Sequence, residues 1–105
     1  MSCVIIPRFI LGKGFTLTES DLLFRLSPGY PDVNPDMWWF SPVILRLDGK
    51  PIAATQLREY HLSREWQRWS RHLTAGQWRS GVDGIESYVA IVRRELGLAA
   101  AMAAA

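Results

Sequence analysis

The two histidines, His61 and His72, are the side chains of this sequence best suited to acid–base chemistry near neutral pH, because the ordinary pKa of imidazole lies there. Ser70 comes two residues before His72. In an extended segment the hydroxyl and the imidazole share a face, whereas in a helix they do not. This spacing is compatible with a hydroxyl nucleophile that has a general base nearby. It is equally compatible with a structural role, in which the two histidines only donate hydrogen bonds that fix a loop.

A single cysteine, Cys3, excludes an intrachain disulfide framework and a cysteine-rich zinc site. Two histidines without a nearby cysteine do not make a zinc site, so we expect no metal and no other cofactor. A reduced cysteine favours a cytoplasmic location. The apolar opening is broken by Pro7 and Arg8, and the alanine-rich end from Leu98 is shorter than the roughly 20 residues of a membrane span. We therefore expect neither a signal peptide nor a membrane anchor.

The chain has 105 residues, of which 49% are hydrophobic, and this suffices for one domain with its own core. We place that domain at residues 1–97, followed by an alanine-rich tail at residues 98–105. Apolar runs predict an antiparallel meander of three or four strands: Val4–Leu11, Asp21–Leu26, Met37–Phe40 and, as the fourth, Val43–Leu47. Three prolines between residues 27 and 36 predict a rigid extended loop.

The second half of the chain carries the helical signal. Segment 55–73 has no clear period and is predicted to be mostly irregular. Ser80 and Asp83 have the spacing of a capping box, and apolar residues recur on one face over residues 82–96, which predicts an amphipathic helix ending near Gly97. Strands followed by one closing helix indicate an α+β fold.

Tryptophans are frequent in this sequence, which contains five of them. Trp38 and Trp39 are adjacent in a predicted strand, so they point to opposite faces. Trp78 precedes the predicted helix and is expected to pack it onto the sheet. A stacking platform for single-stranded nucleic acid is the alternative. Burial explains the tryptophans more simply, and the net charge is only +2, so we do not expect nucleic acid as a partner.

A local excess of arginine lies in the middle of the chain, where only Glu59 and Glu65 oppose it. This excess predicts either a positive surface for an acidic protein partner or simply a solvated face. The arginines are Arg58, Arg64, Arg68, Arg71 and Arg79.

Four short motifs together resemble a bacterial branch of the ubiquitin-conjugating enzymes, prokaryotic family E, over about residues 4–96. The motifs are Tyr30-Pro31-Asp32, Pro35-Asp36-Met37-Trp38, Trp66-Gln67-Arg68-Trp69-Ser70-Arg71-His72 and Trp78-Arg79-Ser80-Gly81-Val82-Asp83. The resemblance implies a ubiquitin-conjugating-like fold and a role beside an adenylating activating enzyme and a ubiquitin-like protein. It also implies a helix before the first strand. The given sequence starts on that strand, so we expect either that the helix is missing or that the start has been trimmed.

The resemblance also exposes a departure at the reactive position. The family's thioester cysteine falls near Ile52 or Ala53, and its His-Pro-Asn motif is replaced by Ile44-Leu45-Arg46. Cys3 lies on the wrong part of the chain to substitute for that cysteine.

Any nucleophile must therefore be a hydroxyl near the lost cysteine, either Ser70 or one of Thr55 and Ser63. We favour Ser70, with His61 or His72 as the general base. The resulting hypothesis is a transferase-like component that carries or positions the C-terminus of a ubiquitin-like protein without a catalytic cysteine. The alternative is a non-catalytic adaptor that binds the activating enzyme or the ubiquitin-like protein.

Overall fold

The computed structural model of the protein describes residues 1–74 and 76–101. Five antiparallel strands form one sheet with the spatial order β1-β2-β3-β5-β4, and a helix packs on one face of it. The elements are β1 (Ser2–Ile10), β2 (Glu19–Leu26), β3 (Trp38–Ser41), β4 (Arg58–His61), β5 (Arg64–Trp69) and α1 (Ile85–Ala101). The predicted α+β class is confirmed, with five strands instead of three or four.

Strands β4 and β5 form a hairpin within segment 55–73, so the prediction that this segment is mostly irregular is wrong. Leu62 and Ser63 make a two-residue turn with φ of 53° and 64°. Such a turn needs a positive φ at both positions and ordinarily carries Asn and Gly, which is why the sequence hides it. Because β5 lies between β3 and β4, only the first three strands form the predicted meander.

Residues Val43–Leu47, predicted as the fourth strand, form a loop with one isolated bridge, between Phe15 and Arg46. The backbone N–H of Ile44 donates to Gln67 Oε1 at 2.9 Å, and Gln67 Nε2 donates to the Ile44 carbonyl at 3.0 Å. A buried side-chain amide therefore satisfies the backbone at Ile44, where a strand would use a neighbouring strand.

Helix α1 begins at Ile85, later than the capping box predicts. The Ser80 hydroxyl donates to the Asp32 carboxylate, and Asp83 Oδ2 accepts the backbone N–H of Arg79 at 2.6 Å. Both polar side chains thus hold the loop that precedes the helix, and neither caps the helix itself.

The other end of α1 also differs from the prediction, because the helix continues through Gly97 to Ala101. Alanine is the best helix former, so the residues after Gly97 support continuation and the glycine does not terminate the helix. The rest of the predicted alanine-rich tail, residues 102–105, lies outside the described residues.

The sheet buries side chains on both faces. On the face toward α1 the core contains Phe9, Phe24, Trp38, Phe40 and Trp69, against Tyr88, Val92 and Leu96 of the helix. The opposite face, here called the outer face, buries Leu23, Trp39 and Trp66. Two guanidinium groups cover this second cluster, Arg25 at 4.4 Å from the Trp39 ring and Arg64 at 4.5 Å from the Trp66 ring.

These faces confirm that Trp38 and Trp39 point in opposite directions. Trp78 is only half-buried, and its Nε1–H donates to the Pro31 carbonyl at 2.8 Å. Trp78 also packs edge-on against Tyr88 of α1, so it joins the proline-rich loop to the helix. Within residues 1–74 and 76–101, no helix has both the length and the hydropathy needed to cross a membrane.

Candidate functional site

The long loop between β3 and β4 shapes a concave surface of the described chain. It lines a cleft of about 480 Å³, whose walls include Ile44, Leu47, Ile52 and Pro51 from the loop and Arg58 from β4. Gln67 of β5 lies at the base, is 2% exposed, and holds Ile44 in place as described above. The cleft is therefore built on the sheet through one buried amide.

The cleft is positively charged. Arg46, Lys50 and Arg58 line it, and no aspartate or glutamate among the described residues does. Arg46 is buried and ion-paired with Asp48 at 2.7 Å. Arg46 and the backbone N–H of Lys50 both donate to Asp48 and lower the pKa of this carboxyl, with the Arg46 side chain the larger cause. Lys50 and Arg58 make no salt bridge within the described part of the chain, so two cations face the cleft without an anion.

The position predicted for a nucleophile lies in the wall of this cleft and carries no reactive group. Ile52 is buried, and its carbonyl accepts hydrogen bonds from Thr55 Oγ1 and Gln56 Nε2, both at 2.8 Å. Thr55 is 4% exposed and its hydroxyl donates to that carbonyl, so it is inaccessible to a substrate. Ala53, in contrast, is exposed.

Ser70 lies beside this wall. Its backbone N–H donates to the Ala54 carbonyl at 3.0 Å, which ties the segment after β5 to the loop. Its hydroxyl accepts a hydrogen bond from Arg68 Nε at 3.1 Å. Among the hydrogen bonds of the described residues, none joins Ser70 Oγ to an imidazole, so no base is positioned to take the hydroxyl proton.

The two histidines lie apart from each other. His61 ends β4, opposite Arg64, so it is about 20 Å along the strand from Ser70 at roughly 3.3 Å per residue. His72 is exposed, and its Nδ1 lies 2.6 Å from Asp36 Oδ1. Ser63, the remaining hydroxyl candidate, sits in the hairpin turn at the His61 end. The structure thus ties Ser70 to the loop at Ala54, next to Thr55 of the cleft, and among the described residues neither predicted base hydrogen-bonds to it.

Glu59 is the residue of this region that the sequence analysis missed. It accepts hydrogen bonds from Trp39 Nε1 at 3.1 Å and Arg68 Nη1 at 2.8 Å, and its Oε1 lies 3.0 Å from His61 Nε2. Burial raises the pKa of Glu59, but the hydrogen bonds from His61, Trp39 and Arg68 outweigh burial and hold it below its ordinary value. Strand alternation would have placed Glu59 on the same face as Trp39, but this signal can be used only if β4 is recognised as a strand.

The predicted arginine-rich surface is mostly neutralised. Arg64 pairs with Asp21 at 3.0 Å, Arg68 with Glu59 at 2.8 Å, and Arg71 with Glu95 at 3.1 Å. The arginines therefore do not form a continuous positive face. Of the five, only Arg58 and Arg79 make no salt bridge among the described residues, and Arg58 lines the cleft. In the part of the chain that the structure describes, no group of three histidine, cysteine or acidic side chains could hold a metal ion.

Comparison with known proteins adds one finding. The family model described as prokaryotic E2 family E matches residues 1–99 of the chain. No curated protein and no solved structure matches it.

Proposed function

The chain belongs to prokaryotic E2 family E, and from this membership we propose that it acts in a ubiquitin-like conjugation pathway by holding the C-terminal tail of a ubiquitin-like protein without bonding to it. E2 proteins interact with an adenylating activating enzyme and with the ubiquitin-like protein that it activates, and we propose both as partners. The resemblance stated from the sequence motifs is confirmed by the match over residues 1–99.

One observation supports a non-covalent role above all. The cysteine of ubiquitin-conjugating enzymes is expected near Ile52, which lines the cleft, or Ala53, which lines a neighbouring cavity, and the buried hydroxyl of Thr55 donates its proton to a backbone carbonyl. A hydroxyl needs an adjacent base to become a nucleophile at neutral pH, and Ser70 has none in contact. The site can bind, but the described side chains are not arranged for acyl transfer.

The shape of the cleft suits an extended peptide. Its walls combine the apolar side chains of Ile44, Leu47 and Ile52 with the polar side chain of Gln56. The apolar side chains of such a surface contact the side chains of a peptide tail, and its polar groups can hydrogen-bond to the backbone of the tail. Pockets commonly bind extended peptide segments in this way.

The test is to combine the chain with its activating enzyme, its ubiquitin-like protein and ATP. We expect binding without any covalent adduct by intact mass. Leu47→Glu should weaken binding, because Leu47 lines the cleft and is exposed, so the change leaves the core intact. Leu62→Glu is the matched control, since Leu62 is equally exposed but lies at the tip of the β4–β5 hairpin. Binding that both variants weaken equally, or neither weakens, argues against the cleft.

A second function, an oxyester carrier, is favoured by one specific contact. Ser70 is tied to Ala54 beside the expected cysteine position, and Asp36 lies against His72 Nδ1, which leaves Nε2 as a base. In this mechanism Ser70 Oγ attacks the thioester carbonyl on the activating enzyme, the His72 imidazole accepts the hydroxyl proton, and the thiolate leaves, whereas His61 lies too far along the strand to serve. An adduct that survives thiol reductants, is cleaved by mild alkali and is lost in Ser70→Ala supports it over non-covalent holding.

A further inference from the structure

The charge of the cleft indicates which chemical group of the ligand it binds. Arg46, Lys50 and Arg58 line it without an acidic side chain, and only Arg46 is paired. A cavity with unpaired cations and apolar walls favours a ligand that is apolar along its length and carries one anion.

Arg58 is held at the cleft by a backbone carbonyl, and Lys50 lines the cleft from the loop. Arg58 Nη1 donates to the Thr55 carbonyl at 2.9 Å, which fixes the guanidinium at the start of β4 and leaves its other N–H groups available. Lys50 follows the turn at Gly49, and its backbone N–H donates to Asp48 Oδ1 at 3.0 Å. One side of the cleft thus presents a forked donor, and the loop presents an ammonium group.

We propose that the cleft recognises the free α-carboxylate at the end of the tail through Lys50 and Arg58. A guanidinium fork and an ammonium match the two oxygens of a carboxylate. The residues before the carboxylate then lie on the apolar walls formed by Ile44, Leu47 and Ile52. This inference rests on the proposed function and adds the chemical state of the tail that binds.

A consequence for the reaction order follows from this chemistry. The carboxylate keeps its negative charge only before it is joined to a thiol or an amine, because a thioester and an amide carry none. The cleft therefore binds the tail most tightly before its carboxylate is activated, and more weakly, through the apolar walls alone, once the carboxylate has been converted. The class of reaction that consumes the bound ligand is activation of a carboxylate.

The experiment compares two peptides on the full chain by chemical-shift titration of the backbone amides. The probes are an N-acetylated Leu-Ala-Leu-Gly peptide with a free carboxylate and the same peptide ending in an amide. We expect the acid to bind about 10-fold more tightly than the amide, because a charged hydrogen bond is worth roughly one such factor or more. The shifts should be centred on residues 44–56.

Charge-matched variants decide which residues are responsible. Lys50→Gln and Arg58→Gln should each remove most of the preference for the acid, whereas Arg79→Gln, an exposed arginine outside the cleft, should leave it unchanged. All three positions are exposed, so the fold is retained, and the amide spectrum confirms that directly.

The outcomes separate this inference from the function on which it rests. Equal binding of acid and amide at the cleft overturns carboxylate recognition but leaves tail holding intact. Binding of neither peptide also overturns it, and tail holding then depends on the complete ubiquitin-like protein. A preference that Arg79→Gln abolishes as strongly as Lys50→Gln shows only a general charge effect and overturns the assignment to the cleft.

Discussion

Replacing Gln67 by leucine should destabilise the protein by about 3 to 5 kcal/mol, although leucine is close to glutamine in volume. The Gln67 amide satisfies three groups: the N–H of Ile44, the carbonyl of Ile44 and the indole N–H of Trp69. Each buried group left without a partner costs about 1 to 3 kcal/mol. Gln67 is 2% exposed, so water cannot replace the lost bonds without opening the structure.

The measurement is guanidinium chloride unfolding of the wild type and of Gln67→Leu, with Gln56→Leu as the matched control. Gln56 also donates to a backbone carbonyl, that of Ile52, but it is exposed, so water can take over and the cost should stay below about 1 kcal/mol. If Gln67→Leu costs no more than Gln56→Leu at an unchanged denaturant slope, the loop is not held by the buried amide and our account of the cleft is wrong.

Three further outcomes are expected from the same fold. The lowered pKa of Glu59 contributes stability at pH above about 4.5 that is lost as pH falls, so Glu59→Gln should flatten the acid limb of stability against pH. Trp69→Phe should cost about 1 to 2 kcal/mol more than Trp38→Phe, because the indole N–H of Trp69 is hydrogen-bonded and that of Trp38 is not, as paired unfolding curves can show. Replacing Leu62 and Ser63 by Asn and Gly should stabilise the β4–β5 hairpin by about 0.5 to 1 kcal/mol and raise the melting temperature, since both positions have positive φ.

Sequence patterns located the features that depend on local chemistry. Alternation along β3 places Trp38 and Trp39 on opposite faces, and the structure confirms this because a strand allows no other arrangement. The motifs around Tyr30 and Trp78 identify the family. The helix is correct over most of its length because its apolar period is a property of the helix alone.

Features that depend on distant contacts escaped prediction. Segment 43–47 is as apolar as a strand, but its backbone at Ile44 bonds to a side chain, Gln67, that lies more than twenty residues away. The capping box at Ser80 fails for the same reason, since its hydroxyl finds Asp32 across the fold. Local preference alone cannot reveal a competing partner that only the tertiary structure brings close.

The cleft is also a feature that depends on distant contacts. Its base is a buried amide on β5, and its walls come from an irregular loop that shows no periodic sequence pattern. Arg64, Arg68 and Arg71 pair with carboxylates, whereas Lys50 and Arg58 at the cleft make no salt bridge among the described residues. An excess of arginine in the sequence therefore overstates the surface charge and does not show where it acts.

Placing a thiol at Ala53, the exposed residue beside the cleft, gives the sharpest test of the position of the bound tail. Ile52 is buried and Ala53 is exposed, so Ala53→Cys is the substitution that places a thiol within reach of a bound tail. Ala53 lines a second cavity of about 200 Å³, which shares Ile52 with the cleft and contains Arg46, Arg71 and Glu95, and Arg71 Nη1 donates to the Ala53 carbonyl at 2.9 Å. Neighbouring guanidinium groups lower the pKa of a thiol and increase its thiolate fraction.

With the activating enzyme, the ubiquitin-like protein and ATP, Ala53→Cys should therefore form an adduct that thiol reductants release. The wild type, whose own thiol is Cys3 on β1, should form none, and the variant combining Cys3→Ser with Ala53→Cys should retain the adduct. Ala53 follows Ile52, which lines the cleft, so thioester formation requires that the activated carbonyl reach from the cleft to residue 53. A complete partner set that yields no reductant-sensitive adduct on Ala53→Cys shows that the tail does not come within reach of residue 53, and the proposed position of the ligand beside Ile52 is then wrong.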